Sequence, residues 1–183
     1  MTFLNTQTSW GWVSIVMHWL SAVAIIALFA FGLWMDGLSY DHPWYQSAPH
    51  WHQSVGVLLV LMMIGRWFWR RYVGQVPNAL VSHKAWEQTW AKRIHYVFYV
   101  LVMFMFVSGY LVVTAEGQGL SVFSWFTVPA VFEMDDLEDI AGGIHWFCAY
   151  SIIILALLHA LAALKHQFID NDGTLLRMFG KSS

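Results

Sequence analysis

Four stretches of this chain are apolar and long enough to cross a lipid bilayer, and that limits its fold more than any other feature of the sequence. A spanning helix needs about 20 mainly apolar residues. No water reaches the hydrocarbon, so a spanning segment must satisfy its peptide groups internally, as a helix or a closed barrel. The expected spans are about 13–35, 52–69, 94–115 and 140–164. The first, third and fourth contain no Asp, Glu, Lys or Arg, and the second meets only Arg66 near its far end. The first is too long for the apolar core of a signal peptide and follows no basic segment. The expected fold is therefore an all-α membrane protein, a four-transmembrane-helix up-and-down bundle forming a single domain over residues 1–183.

Composition agrees. Of the 183 residues, 58% are hydrophobic and 11% charged, where a soluble domain carries about 25% charged residues. The one cysteine, Cys148, excludes an internal disulfide, a CxxCH haem attachment and an iron–sulfur cluster.

The basic residues set the orientation. Arg66, Arg70, Arg71, Lys84, Lys92 and Arg93 flank the connection between the second and third spans, and Lys165, Arg177 and Lys181 follow the fourth. That connection and both termini are expected on the cytoplasmic side of the membrane. The outward connections carry Asp36, Asp41, Glu116, Glu133, Asp135, Asp136, Glu138 and Asp139 and no Lys or Arg. Segment 121–132 is too short and too interrupted by proline to span, and is expected to lie along the outer membrane surface.

Ionisable groups inside a membrane are costly and are functional candidates by default. The spans contain His18, His52, His95, His145 and His159. His145 and His159 are 14 residues apart, close to four helical turns, so they share a face about 21 Å apart along the axis. The same interval links His18 to Gly32, His52 to Arg66 and His95 to Gly109. With alternating helix directions, Gly32, His52, Gly109 and His145 form an outer layer, and His18, Arg66, His95 and His159 a cytoplasmic one. Two imidazoles beside two residues without side chains suit a porphyrin, which glycine lets approach the backbone closely. Gly56, one turn after His52, extends that small surface. Arg66 could pair with a haem propionate through its guanidinium fork. Any one of these histidines alone could be an interfacial residue. Zinc prefers a single tight cluster, and these histidines separate into layers. His42, His50 and His83 lie in connections and are expected to be solvated. In the cytoplasmic layer, spacing alone lets His18 face either His95 or His159.

These residues resemble the bacterial cytochrome b561 family, whose members include a dihaem superoxide oxidase. Met17-His18-Trp19 is similar to its first-helix motif, and His52-Gln53-Ser54-Val55-Gly56, followed by Arg66, to its HxSxG motif. His145 and His159 match its fourth-helix pair, followed by His166-Gln167-Phe168-Ile169-Asp170 and Asp172-Gly173-Thr174-Leu175-Leu176-Arg177-Met178. The likeness runs from about residue 10 to 180. It implies two haem b groups, one held by His18 and His159 and the other by His52 and His145. It also implies a quinone, ubiquinone or menaquinone, near His95 and His166.

The expected function is electron transfer across the inner membrane between the quinone pool and a periplasmic redox protein. Membrane lipid is a further partner, and no nucleic acid is expected. Two alternatives are a quinone-linked oxidoreductase, a superoxide:ubiquinone oxidoreductase, and a haem-free transporter module with histidine relays. Superoxide is an anion that a positive outer surface would attract. An acidic rim better suits a cationic or neutral partner.

Overall fold

The computed structural model describes residues 2–74, 76–78, 80, 83–131 and 133–181. Its helices are α1 (Trp12–Asp36), α2 (Ser47–Phe68), α3 (Ala85–Thr114), α4 (Leu137–Phe168) and the short α5 (Thr174–Arg177). A π-helical turn, Trp69–Val73, continues α2, and two strands, β1 (Leu120–Val122) and β2 (Phe126–Val128), lie between α3 and α4. Each expected span falls on one of the four long helices. The third begins earlier than expected because Ala85–Arg93, too polar for the hydrocarbon, still consists mostly of good helix formers.

Among the described residues, α1, α3 and α4 are long and apolar enough to cross a membrane. The opening turns of α2, with Ser47, His50, His52, Gln53 and Ser54, lower its hydropathy, and it is not among these three. Many large apolar side chains on the long helices point outward, including Val23, Ile26, Leu157 and Ile154. A soluble surface does not expose apolar area on this scale, whereas a lipid-facing one does.

The helix segments gather into two compact units. One, here the terminal unit, comprises Met1–Ala22, Met62–Tyr99 and Ile154–Ser183; the other, the hairpin unit, comprises Val23–Leu61 and Val100–Ile153.

The terminal unit is tied together by its polar ends. The Arg177 guanidinium donates to the carbonyls of Thr8 and Asn78, while Asn78 N donates to the Gln7 carbonyl. Trp19 Nε1 donates to the Met178 carbonyl at 2.8 Å, and the Trp19 ring stacks on Phe179. Trp69 Nε1 donates to Ser14 Oγ at 3.1 Å. One buried arginine thus joins the N-terminal segment, the connection after the π turn and the C-terminal tail.

In the hairpin unit, much of the segment 121–132 expected along the membrane surface forms a β-hairpin. Strands β1 and β2 pair antiparallel, Leu120 with Val128 and Val122 with Phe126. Residue 132 lies outside the described residues. The alternation of a strand sends Leu120 and Val122 inward. There they meet Val57 and are flanked by Phe106, Tyr110 and Val113. Phe123 N donates to Ser54 Oγ at 2.8 Å, and Ser54 Oγ donates to the His50 carbonyl at 2.7 Å. Gln53 Nε2 donates to the Ser121 carbonyl. The hairpin is therefore fastened to the opening turns of α2 by the residues that make α2 polar.

Candidate functional site

Each unit brings histidines from different helices together. In the hairpin unit the rings of His52 on α2 and His145 on α4 have centroids 6.3 Å apart. A Cβ added at Gly32 would lie 3.3 Å from His52 Cε1, and one at Gly109 would lie 3.0 Å from His145 Cε1. Each imidazole therefore rests against bare backbone of a neighbouring helix, a close approach that glycine permits. Phe31 lies almost parallel to His52, with 9° between the ring planes. At Gly56 an added Cβ would meet nothing within 4 Å.

The nitrogens of this pair differ in their partners. His145 Nδ1 lies 3.1 Å from the Met105 carbonyl and 3.3 Å from Ser108 Oγ. A proton donated from Nδ1 to that carbonyl leaves the Nε2 lone pair available, the arrangement typical of ligating histidines. His52 Nδ1 is buried and has no hydrogen-bond partner. An orphaned polar atom in such a place calls for an explanation.

The terminal unit brings together all four members of the expected cytoplasmic layer. The His18 and His159 ring centroids are 6.4 Å apart, and those of His95 and His159 are 5.3 Å apart. Phe98 packs edge-on against His159. The Arg66 guanidinium donates to His18 Nδ1 at 3.0 Å, and His95 Nδ1 donates to the Ala91 carbonyl at 2.6 Å. The Tyr99 hydroxyl, one turn beyond His95, is buried without a hydrogen-bond partner.

These spacings can be compared with metal ligation. With metal–nitrogen bonds of about 2 Å, two imidazoles on opposite sides of one ion have centroids about 6 Å apart. The separations of 6.3 Å and 6.4 Å match this, and that of 5.3 Å falls short. The residues present therefore fit two bis-imidazole metal centres, one in each unit.

His166 lies near the C-terminal end of α4, with Nδ1 2.7 Å from Asp170 Oδ2 and 3.4 Å from Asp172 Oδ2. His83 is not the solvated residue expected from its place in a connection: its ring centroid is 4.5 Å from that of His166, and its Nε2 is 2.9 Å from Asp172 Oδ2. His50 likewise belongs to α2 and is half-buried, and His42 Nδ1 accepts from Trp44 N. Burial opposes ionisation of Asp172, but hydrogen bonds from Thr174 and His83 outweigh it and hold the carboxyl below its usual range. Lys165 does the same for Asp170.

In the hairpin unit, Glu116, Glu133, Asp135, Asp136, Glu138 and Asp139 line one open depression of about 790 Å³.

Sequence comparison places known proteins beside this geometry. The family described as prokaryotic cytochrome b561 matches residues 9–181. Cytochrome b561 homolog 2 of Escherichia coli (strain K12) is 42% identical over 184 residues, covering 100% of this chain and 97% of that protein. Cytochrome b561 homolog 1 of the same organism is 23% identical, covering 90% of this chain and 93% of the homolog. Probable superoxide oxidase CybB of Yersinia pestis is 29% identical, covering 92% of this chain and 94% of that protein.

Proposed function

The chain belongs to the prokaryotic cytochrome b561 family, membrane proteins of electron transport for which b-type haem is implied, and from that premise we propose that it is a dihaem cytochrome carrying electrons across the inner membrane between the quinone pool and a periplasmic redox partner. Its α2 crosses the membrane together with α1, α3 and α4, giving a four-helix up-and-down bundle with both termini cytoplasmic. The observation that carries this reading is the imidazole pair in each unit, at 6.3 Å in one and 6.4 Å in the other.

In the hairpin unit His52 and His145 hold one haem. The Met105 carbonyl orients His145, while Gly32, Gly56 and Gly109 keep the surroundings small. In the terminal unit His18 and His159 hold the second. Held by two imidazoles, each haem would supply an iron that takes and passes on one electron, with no open position for oxygen. With a haem held by His18, Arg66, which donates to His18 Nδ1 in this structure, would be available to pair with a propionate carboxylate.

Quinone chemistry falls to the cytoplasmic end. Exchange between quinone and quinol moves two electrons and two protons. His95 Nδ1 is committed to the Ala91 carbonyl, so its Nε2 can accept a proton from a quinol hydroxyl. His166, near the C-terminal end of α4, is the second candidate for hydrogen bonding to the quinone.

A second reading, a superoxide:ubiquinone oxidoreductase, draws on the 29% identity to the probable superoxide oxidase. The six carboxylates around the depression in the hairpin unit oppose it, because they repel an anionic substrate and attract a cationic protein.

Proteoliposomes test electron transfer. A lipid-soluble quinol should reduce the haems, and a membrane-impermeant cationic oxidant should reoxidise them. Haem reduction by generated superoxide at a near diffusion-limited rate would favour the second reading, and no reduction by quinol would contradict the first.

A further inference from the structure

The geometry points to a divalent transition-metal site, separate from both histidine pairs, formed in the terminal unit by His83 Nε2, His166 Nδ1 and Asp172 Oδ2. These three donor atoms lie within 4.8 Å of one another. Asp172 Oδ2 is 2.9 Å from His83 Nε2 and 3.4 Å from His166 Nδ1. Two ligands of a tetrahedral ion with bonds of about 2.0–2.1 Å lie about 3.3 Å apart, and the two separations bracket that value. The side chains of His83, His166 and Asp172 are 17%, 15% and 4% exposed, so the donors are sheltered but reachable from solvent.

The surroundings hold the donors in place. Asp172 Oδ1 accepts from Thr174 N at 2.8 Å, which leaves Oδ2 turned toward the two imidazoles. Asp172 N donates to the His166 carbonyl, and Gln88 Nε2 donates to the His83 carbonyl. Asp170 Oδ2 lies 2.7 Å from His166 Nδ1 and equally close to Lys165 Nζ, whose ammonium can retain it when the imidazole turns to an ion. Two imidazoles and one carboxylate suit zinc or another first-row divalent ion, and leave a fourth position for water. The ion would join the residue just ahead of α3 to the end of α4 and the tail after it. Ligation through His166 Nδ1 also fixes the proton on its Nε2.

Holoprotein purified in detergent, treated with chelator, equilibrated with Zn²⁺ and desalted tests this by elemental analysis against protein concentration. About one zinc per chain should remain. His83→Gln and His166→Gln should each weaken binding about tenfold or more, with the haem spectrum reporting that the variants fold. Zinc K-edge absorption of the unaltered protein provides a readout that needs no variant, and should show two imidazole nitrogens in the first shell. No retained zinc, retention equal to wild type in both folded variants, or a shell of oxygens alone would each overturn the assignment.

Discussion

Gly109 and His145 show how a missing side chain can do chemical work. A methyl group at Gly109 would sit 3.0 Å from His145 Cε1 and 3.1 Å from Nδ1. The ring would have to move, and with it the hydrogen bond to the Met105 carbonyl that sets its tautomer. Gly109→Leu should therefore remove the haem of the hairpin unit from the absorption spectrum and leave that of the terminal unit. Gly32→Ala, whose Cβ would lie 3.3 Å from His52, should cause a smaller perturbation, visible as a shift in low-spin electron paramagnetic resonance. At Arg66 the expected effect is electrostatic. A nearby cation stabilises the reduced, less positive iron, so Arg66→Gln should lower the midpoint potential of the terminal-unit haem in a redox titration while both haems remain. The 14-residue spacing of histidines, glycines and arginine made all these positions legible in the sequence. His83 was not legible, because its partner Asp172 is 89 residues away and its own neighbours read as an ordinary polar connection.

At the scale of elements, the long helices follow from their apolar runs, whereas the hairpin does not. Its three-residue strands are too short for alternation to stand out, and burial of Leu120 and Val122 against Val57 decides their course. Ser54 connects the two elements as acceptor for Phe123 N. Ser54→Ala would leave that amide without its partner, at a cost of about 1–3 kcal/mol. Hydrogen exchange should show faster opening of the hairpin while the His18–His159 pair keeps its spectrum. The C-terminal tail has a different sensitivity. The Asp172 carboxyl is held below its ordinary value of about 3.9, so its contribution is complete above that pH. Acidification through the lower folded value removes the contribution as the carboxylate takes a proton. Amides at Thr174–Arg177 should therefore lose exchange protection as pH falls below about 4. Asp172→Asn should remove most of that pH dependence.

At the scale of the whole molecule, charge and apolarity give a consistent picture. The basic residues cluster around the connection from α2 to α3 and the end of α4, most acidic ones around the connections from α1 to α2 and from α3 to α4, and the long helices expose apolar side chains in bulk. The family match runs over residues 9–181, nearly the whole chain. The connections between α1 and α2 and between α3 and α4 are acidic and carry no Lys or Arg. The central claim is two haems per chain, one for each imidazole pair. A pyridine haemochromogen assay on detergent-purified protein, with a reduced-minus-oxidised spectrum, tests it most directly. The account predicts about two protohaems per chain with low-spin b-type bands. One haem would mean that one imidazole pair serves another purpose, and none would contradict the account.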